Sequence, residues 1–369
     1  MVTVVIAGGG TGGHVFPMIA VGDALKAVEP SARVVYVGTA RGIEARVMPE
    51  RGDALELLDI RPLRGSGLKG FMKGAYFAAA SIPSARKLIA KLNAKAVLSV
   101  GGYAGGPVAL AARTLGVPVA LLEPNSVLGL SNRLLTPLVA RAYTAFPEVE
   151  TALNPSVVKR AGVPLRGSFS RKPYAPSGDK VRILLLGGSQ GAKALNETVP
   201  HALRALVRAG DGNFIELVHQ TGRDHELNVR ALHTQLGLLD RVTITPFITD
   251  MASALESADI VIGRSGASSL AELCVVGRAS ILIPYPFAAD DHQLKNARSL
   301  ERAGAAVAVP QSEATPARVA CEIDRLVKDP ALRARMAEAA ASLGKADAAR
   351  EVALDLLHLA TSQGPKEAN

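Results

Sequence analysis

One arrangement occurs twice in this chain and limits its possible folds more than any other. Val2-Thr3-Val4-Val5-Ile6-Ala7 runs into Gly8-Gly9-Gly10-Thr11-Gly12-Gly13 and then into an apolar-periodic stretch with Met18, Ile19, Val21 and Leu25. Val181-Arg182-Ile183-Leu184-Leu185-Leu186 likewise enters Gly187-Gly188-Ser189-Gln190-Gly191-Ala192 and a helical sequence. A run of branched apolar residues suits a strand covered on both faces of a parallel sheet, and the change of period marks the helix. Where the turn between them is glycine, the first helical N–H groups and the positive dipole end stand open to an anion. A negatively charged ligand is therefore expected at these turns. Between Asn154 and Gly178 the pattern lapses into a stretch with Pro155, Pro164, Pro173 and Pro176, which reads as a linker. The fold predicted is α/β, with two Rossmann-like parallel-sheet domains facing one another across a cleft. Their spans are 1–163 and 164–369, with the last helix packing back on the first.

The spacing Gly8-x-Gly10-x-x-Gly13 also fits a dinucleotide fingerprint, which requires an acidic residue at the end of the second strand to hold a ribose diol. Here that strand, Arg33 to Val37, ends in Gly38-Thr39. A phosphate or sugar site is preferred on this ground to a nicotinamide or flavin site. A chain of 369 residues with 48% hydrophobic and 4% aromatic content suits two α/β cores built from Val, Ile, Leu and Ala. Cys274 and Cys321 are too few and too distant for a disulfide framework or a zinc cluster, which fits a reducing cytosol. No basic region precedes the first apolar run, and no apolar stretch reaches about 18 residues, so neither a signal peptide nor a membrane span is predicted.

The net charge of +9 is unevenly placed. From Ile60 to Leu122 there is no Asp or Glu, yet Arg61, Arg64, Lys69, Lys73, Arg86, Lys87, Lys91, Lys95 and Arg113 all fall there. Within this segment Leu68, Phe71, Met72, Tyr76 and Phe77 interleave with Lys69 and Lys73. That pattern suits adhesion to an anionic membrane surface, and equally a core helix with a solvated basic face. No nucleic-acid module or aromatic stacking repeat accompanies the charge, so no nucleic-acid partner is expected.

In order, strands are predicted at Val34–Val37, Leu55–Ile60, Ala96–Val100 and Val117–Leu122 in the first half, with a loop at Arg61–Lys69 followed by two helical stretches. Gly101-Gly102-Tyr103 forms a further glycine turn, and Glu123-Pro124-Asn125-Ser126 ends the last of these strands. The second half continues with strands at Ile215–Gln220, Val242–Thr245, Ile260–Ile262 and Ser280–Pro284, and is helical from Thr315.

Five stretches in order carry a resemblance: Gly9-Gly10-Thr11-Gly12-Gly13-His14-Val15-Phe16-Pro17, Gly101-Gly102-Tyr103, Gly187–Ala192, Arg264-Ser265-Gly266-Ala267 with Glu272, and Asp291-His292-Gln293 with Asn296. Together they resemble the motifs of the MurG family of bacterial glycosyltransferases. The resemblance runs from end to end and implies the GT-B arrangement, with the acceptor lipid on the first domain and the UDP-sugar mainly on the second. It implies inverting transfer of N-acetylglucosamine from its UDP donor to the 4-hydroxyl of an undecaprenyl-diphospho-N-acetylmuramoyl-pentapeptide. The location implied is the cytoplasmic face of the bacterial inner membrane, held peripherally.

Such a displacement needs a base for the hydroxyl and stabilisation of the departing diphosphate. His14 is the candidate base, since the dipole at a helix start disfavours imidazolium and keeps the ring an acceptor. No Asp-x-Asp pair occurs in the chain, so no metal or other cofactor is expected. Backbone N–H groups at Gly187–Ala192, with the Ser189 hydroxyl, and at the helix start of Ala267, Ser268 and Ser269 are expected to take the diphosphate charge. The resemblance further implies that Arg166 contacts the nucleotide sugar, that Glu272 holds the ribose diol, and that Ile248 pairs its backbone with uracil. Gln293 and Asn125 read sugar hydroxyls, and Thr11, Gly12 and Gly13 line the site beside His14. Two other readings of the residues are a UDP-sugar epimerase of related form and a nucleotide-sugar binding protein without catalysis.

Overall fold

The structure, a computed structural model, describes residues 1–58, 68–167, 169–176, 178–188, 191–210, 212 and 214–362, with the side chains of 68–76 and 78 outside the description. The chain forms two compact units, Met1–Gly167 with Asp347–Asn369, and Ser168–Ala346. The first contains β1 (Thr3–Ala7), α1 (Gly12–Val28), β2 (Arg33–Gly38), α2 (Glu44–Glu50), β3 (Leu55–Leu57), α3 (Leu68–Leu92), β4 (Ala96–Ser99), α4 (Gly102–Thr114), β5 (Val119–Glu123), α5 (Leu130–Leu135), β6 (Arg141–Thr144), α6 (Pro147–Glu150) and β7 (Val158–Arg160). The second contains β8 (Val181–Leu186), α7 (Lys193–Ala209), β9 (Ile215–Gln220), α8 (Glu226–Leu236), β10 (Val242–Thr245), α9 (Met251–Ser257), β11 (Ile260–Gly263), α10 (Ala267–Val276), β12 (Ala279–Leu282), α11 (His292–Arg302), β13 (Ala306–Ala308), α12 (Pro316–Lys328) and α13 (Pro330–Leu343). The last helix, α14 (Ala348–Ser362), belongs to the first unit.

Both sheets are parallel throughout, in the orders β3-β2-β1-β4-β5-β6-β7 and β10-β9-β8-β11-β12-β13. The apolar runs read from the sequence are buried on both faces, as parallel sheets require. In the first unit Val4 and Ile6 face one core with α1 and α14, while Val5 and Ala7 face the other with residues of α3 and α4. Helix α14 is held by burial of Val352, Ala353 and Leu356 and by Asp355, which accepts from Arg141 Nε and Tyr143 OH, each at 2.8 Å. One core cluster in the second unit joins β8, β9, β11 and β12 to α7 and α12.

Three expectations change. The two helical stretches after the basic loop are one helix, α3, which runs through Pro83. Pro83 and Ala79, the residue whose carbonyl loses its partner, are both exposed, so water can satisfy that group and the helix need not break. The predicted strand at Leu55–Ile60 is described only to Leu57 as a strand, and residues 59–67 of that strand and the loop lie outside the described residues. The short strands β6, β7 and β13 were not foreseen; each has three or four residues, and pairing to a neighbour defines it.

Candidate active site

In an open parallel sheet, ligands bind beyond the carboxyl ends of the strands where the strand order reverses. The reversals here lie between β1 and β4 and between β8 and β11. Four helices start directly after these strands, α1, α4, α7 and α10, and none has a side-chain hydrogen bond at its N-cap. By contrast α12 and α13 are capped by Thr315 and Asp329. Uncapped starts leave N–H groups for a ligand or water.

In the first unit, the loop after β1 and the loop after β4 touch. A Cβ on Gly102, where φ is +72°, would fall 2.5 Å from the Gly9 carbonyl oxygen, so only glycine permits the approach. The His14 ring lies over the second loop, with Nε2 3.5 Å from where a Gly101 Cβ would sit and Asn132 Nδ2 3.6 Å from the same point. The Thr11 hydroxyl is 3.4 Å from His14 Nδ1, and Thr11 and Gly13 are exposed while Gly12 is half-buried. Asn125 is brought to the same edge, its backbone N–H and Nδ2 both donating to Glu123 Oε1, at 3.1 and 3.3 Å. Arg166 stacks its guanidinium 3.8 Å over the Phe16 ring, beside the first turn of α1.

Two carboxylates organise this edge, and neither was given a role from the sequence. Glu123, 2% exposed, also accepts from Gly129 N–H at 2.9 Å and Asn132 Nδ2 at 3.0 Å. Burial raises its carboxyl above the ordinary value, and the hydrogen bonds oppose that shift. Its position at the end of a predicted strand was the available signal. Glu44, fully buried, accepts from Gly10 N–H at 2.9 Å, Thr39 N–H at 3.0 Å and the Thr39 hydroxyl at 3.2 Å. The first glycine turn was expected to hold an external anion, but at Gly10 the chain supplies its own. The acid missing from the end of the second strand stands six residues beyond Gly38 and turns into the loop.

In the second unit, Gly187 N–H donates to the Gln220 carbonyl and Gly191, at φ +76°, sits against Thr221. Ser189 lies outside the described residues. Beside this turn, Ala267 begins α10, Ser269 is exposed, and Ser268 Oγ is buried with no hydrogen-bond partner among the described residues. Glu272 follows on the same helix, half-buried. The Ser265 hydroxyl donates to the Gln293 carbonyl at 2.7 Å, and Gln293 Oε1 accepts from Tyr285 N–H at 3.0 Å. Asp290 and Asp291, just before α11, both hold left-handed backbone at φ 53°, a conformation that persists for such residues only where the surroundings fix it. Ile248, half-buried, follows β10 beside exposed Phe247.

Residues 4–144 match the glycosyltransferase family 28 N-terminal domain, and residues 182–352 match the family's C-terminal domain. A Sorangium cellulosum (strain So ce56) protein is 65% identical over 363 residues, covering 98% of this chain and 89% of that protein. The chain belongs to glycosyltransferase family 28. The Sorangium relative is named UDP-N-acetylglucosamine--N-acetylmuramyl-(pentapeptide) pyrophosphoryl-undecaprenol N-acetylglucosamine transferase. Among solved structures, Acinetobacter baumannii MurG is similar at TM-score 0.80 and 31% identity, over 97% of this chain and 99% of that one. A Neisseria meningitidis UDP-GlcNAc 2-epimerase bound to UDP-GlcNAc aligns at TM-score 0.65 over 97% of this chain and 100% of that one. At 15% identity, that likeness is one of fold.

Proposed function

We propose that this family 28 enzyme transfers N-acetylglucosamine from UDP-N-acetylglucosamine to the C4 hydroxyl of the N-acetylmuramoyl unit of undecaprenyl-diphospho-N-acetylmuramoyl-pentapeptide, giving lipid II for peptidoglycan synthesis. The observation that carries this is 65% identity, over 98% of the chain, to a transferase of that name. Inversion at C1 follows from a single displacement, in which the hydroxyl oxygen forms the new bond to C1 as the bond from C1 to the UDP oxygen breaks.

His14 accepts the hydroxyl proton, with Thr11 orienting the ring and Gly12 and Gly13 leaving room for the acceptor sugar. Glu123 holds Asn125 at the same edge, where its amide meets a sugar hydroxyl. In the second unit the N-terminal N–H groups of α7 and of α10, at Ala267, Ser268 and Ser269, receive the diphosphate as charge develops on it, aided by Ser189. This assignment is supported by the absence, among the described residues, of a side-chain cap at either helix start, and it gives no role to a metal ion. Glu272 accepts from the ribose diol, Ile248 presents backbone to uracil, and Gln293 donates from its amide nitrogen to the sugar. Arg166 supplies a positive fork toward the nucleotide sugar.

The acceptor is lipid-linked, so the enzyme works at an anionic membrane surface, which the reading places at the cytoplasmic face of the inner membrane. Among the described residues no helix is long and apolar enough to cross a membrane. Helix α3 supports peripheral adhesion: at helical spacing, positions 68, 71, 72 and 76 share one side, and Lys69 and Lys73 are one turn apart. The test is transfer of labelled N-acetylglucosamine from its UDP donor to a short-chain lipid I analogue in the presence of a chelator. Labelled disaccharide lipid is the expected product. Release of UDP or epimerised sugar with no dependence on the acceptor would overturn the reading.

A further inference from the structure

Beneath the glycine turn of the second unit runs a buried column of side chains that the reaction itself does not use. Asn196 on α7 donates from Nδ2 to the Thr221 carbonyl at 2.9 Å, and its Oδ1 lies 3.0 Å from His219 Nε2 on β9. His219 Nδ1 lies 3.0 Å from His233 Nε2 on α8, with the two rings edge to face. Both histidines are fully buried and Asn196 is 3% exposed.

The order of donors is fixed from one end. A carbonyl only accepts, so the Asn196 atom facing Thr221 is the amide nitrogen, and Oδ1 must accept from His219 Nε2–H. Neutral His219 is then an acceptor at Nδ1, and His233 must donate from Nε2–H. His233 Nδ1 ends the column as a lone pair, buried with no hydrogen-bond partner among the described residues. Burial, and for His219 also its neighbour His233, pushes the two rings down to about 3 and about 4, consistent with a neutral column.

The upper end of the column is the floor of the turn. Gly187 N–H donates to the Gln220 carbonyl, Thr221 N–H to the Thr245 carbonyl, and a Cβ on Gly191 would lie 2.4 Å from the Thr221 carbonyl oxygen. Asn196 also ties its own N–H to the Ala192 carbonyl at the start of α7. We propose that Asn196, His219 and His233 are positioning residues that set where Gly187, Gly191 and the start of α7 stand, and with them affinity for the diphosphate rather than the nucleoside of the donor. The inference rests on the reading that this turn holds the donor diphosphate.

The test compares binding of UDP and of uridine to the full-length protein by calorimetry and competition, alongside donor and acceptor KM. His219→Leu is expected to weaken UDP and raise donor KM by about tenfold or more, as loss of a buried hydrogen bond implies. Uridine affinity and acceptor KM stay unchanged, while kcat at saturating donor falls as well, because the same turn takes the charge that develops on the leaving diphosphate. His219→Gln, whose amide can donate to Asn196 Oδ1 in place of Nε2, recovers most of the loss. If His219→Leu does not fold, Asn196→Ser, which removes the amide bound to Thr221, carries the same test. Equal loss of UDP and uridine affinity, no loss of either, or failure of His219→Gln to recover overturns the inference. Gly191→Ala separates it from its premise. If that variant leaves UDP binding intact, the turn is not the diphosphate site; if it weakens UDP while the column variants do not, only the inference fails.

Discussion

Replacing Glu44 by alanine is expected to destabilise the first unit selectively, because this carboxylate is the internal anion of its glycine turn. Three donors converge on it: Gly10 N–H, Thr39 N–H and the Thr39 hydroxyl. Cβ atoms on Gly9, Gly38 or Gly42 would all fall within 2.0 to 2.4 Å of its carboxyl group or Cγ, so the two loops are moulded around the side chain. A hydrogen bond to a charged group contributes about 1.5–3 kcal/mol, and an orphaned buried donor costs a similar amount. The Thr39 hydroxyl can rotate to another acceptor and Gly10 is partly open to water, so the unavoidable loss is at Thr39 N–H. The expected cost is therefore about 2–4 kcal/mol out of a domain stability of about 5–15 kcal/mol. Glu44→Gln leaves one oxygen but points an NH2 group at N–H donors, and should recover only part.

Denaturant unfolding of the full chain reads this as a shift of one of two transitions, since a two-unit chain need not unfold in one step. If the second unit holds UDP, as proposed, added UDP marks that unit by stabilising its transition. The Glu44→Ala shift should fall on the other one, with UDP affinity unchanged. A variant that keeps both transitions and loses UDP affinity would refute the reasoning, because Glu44 would then serve ligand binding and not the stability of the first unit.

Two further outcomes follow from the same structure. His219 and His233 are held neutral in the folded protein, while unfolded histidine titrates near 6.5. Below that pH the unfolded chain binds protons the native state refuses, so this contribution is complete above about pH 7 and falls with acidification, by up to about 4 kcal/mol for the pair at pH 5. The second unit's transition measured at pH 7.5 and pH 5 should show that loss, and a His219→Gln, His233→Gln double variant should flatten it; equal slopes in both proteins would count against it. Substituting Phe71 and Phe77 by Asp should weaken binding to anionic liposomes and leave UDP affinity alone, and unchanged liposome binding would make α3 an ordinary core helix.

Much of this architecture is legible in the sequence for a definite reason. Strands such as Thr3–Ala7 and Ile260–Gly263 are buried along their whole length, so each writes a continuous apolar run, and glycines mark where it stops. The strands that escaped notice are short, and two of them, Val158–Arg160 and Ala306–Ala308, lie at sheet edges, where pairing rather than composition decides. The two helical stretches expected after the basic loop are one because Pro83 is carried inside α3, at a place where the exposed Ala79 carbonyl can bind water. The motif residues His14, Ala267, Glu272 and Gln293 could be named because the short stretches that hold them carry the family resemblance. Glu44, Glu123 and the pair of histidines could not, since each also depends on a partner 9 to 34 residues away that only the fold brings near.

The central claim is that the first unit performs the acceptor chemistry while the second holds the donor. It is tested most directly by His14→Ala, with kcat for transfer to a lipid I analogue and UDP affinity measured on the same preparation. Loss of a general base should lower kcat by about 10²–10⁴-fold with UDP affinity intact. A kcat close to that of the unaltered enzyme, or a loss explained by weaker UDP binding, would contradict the account.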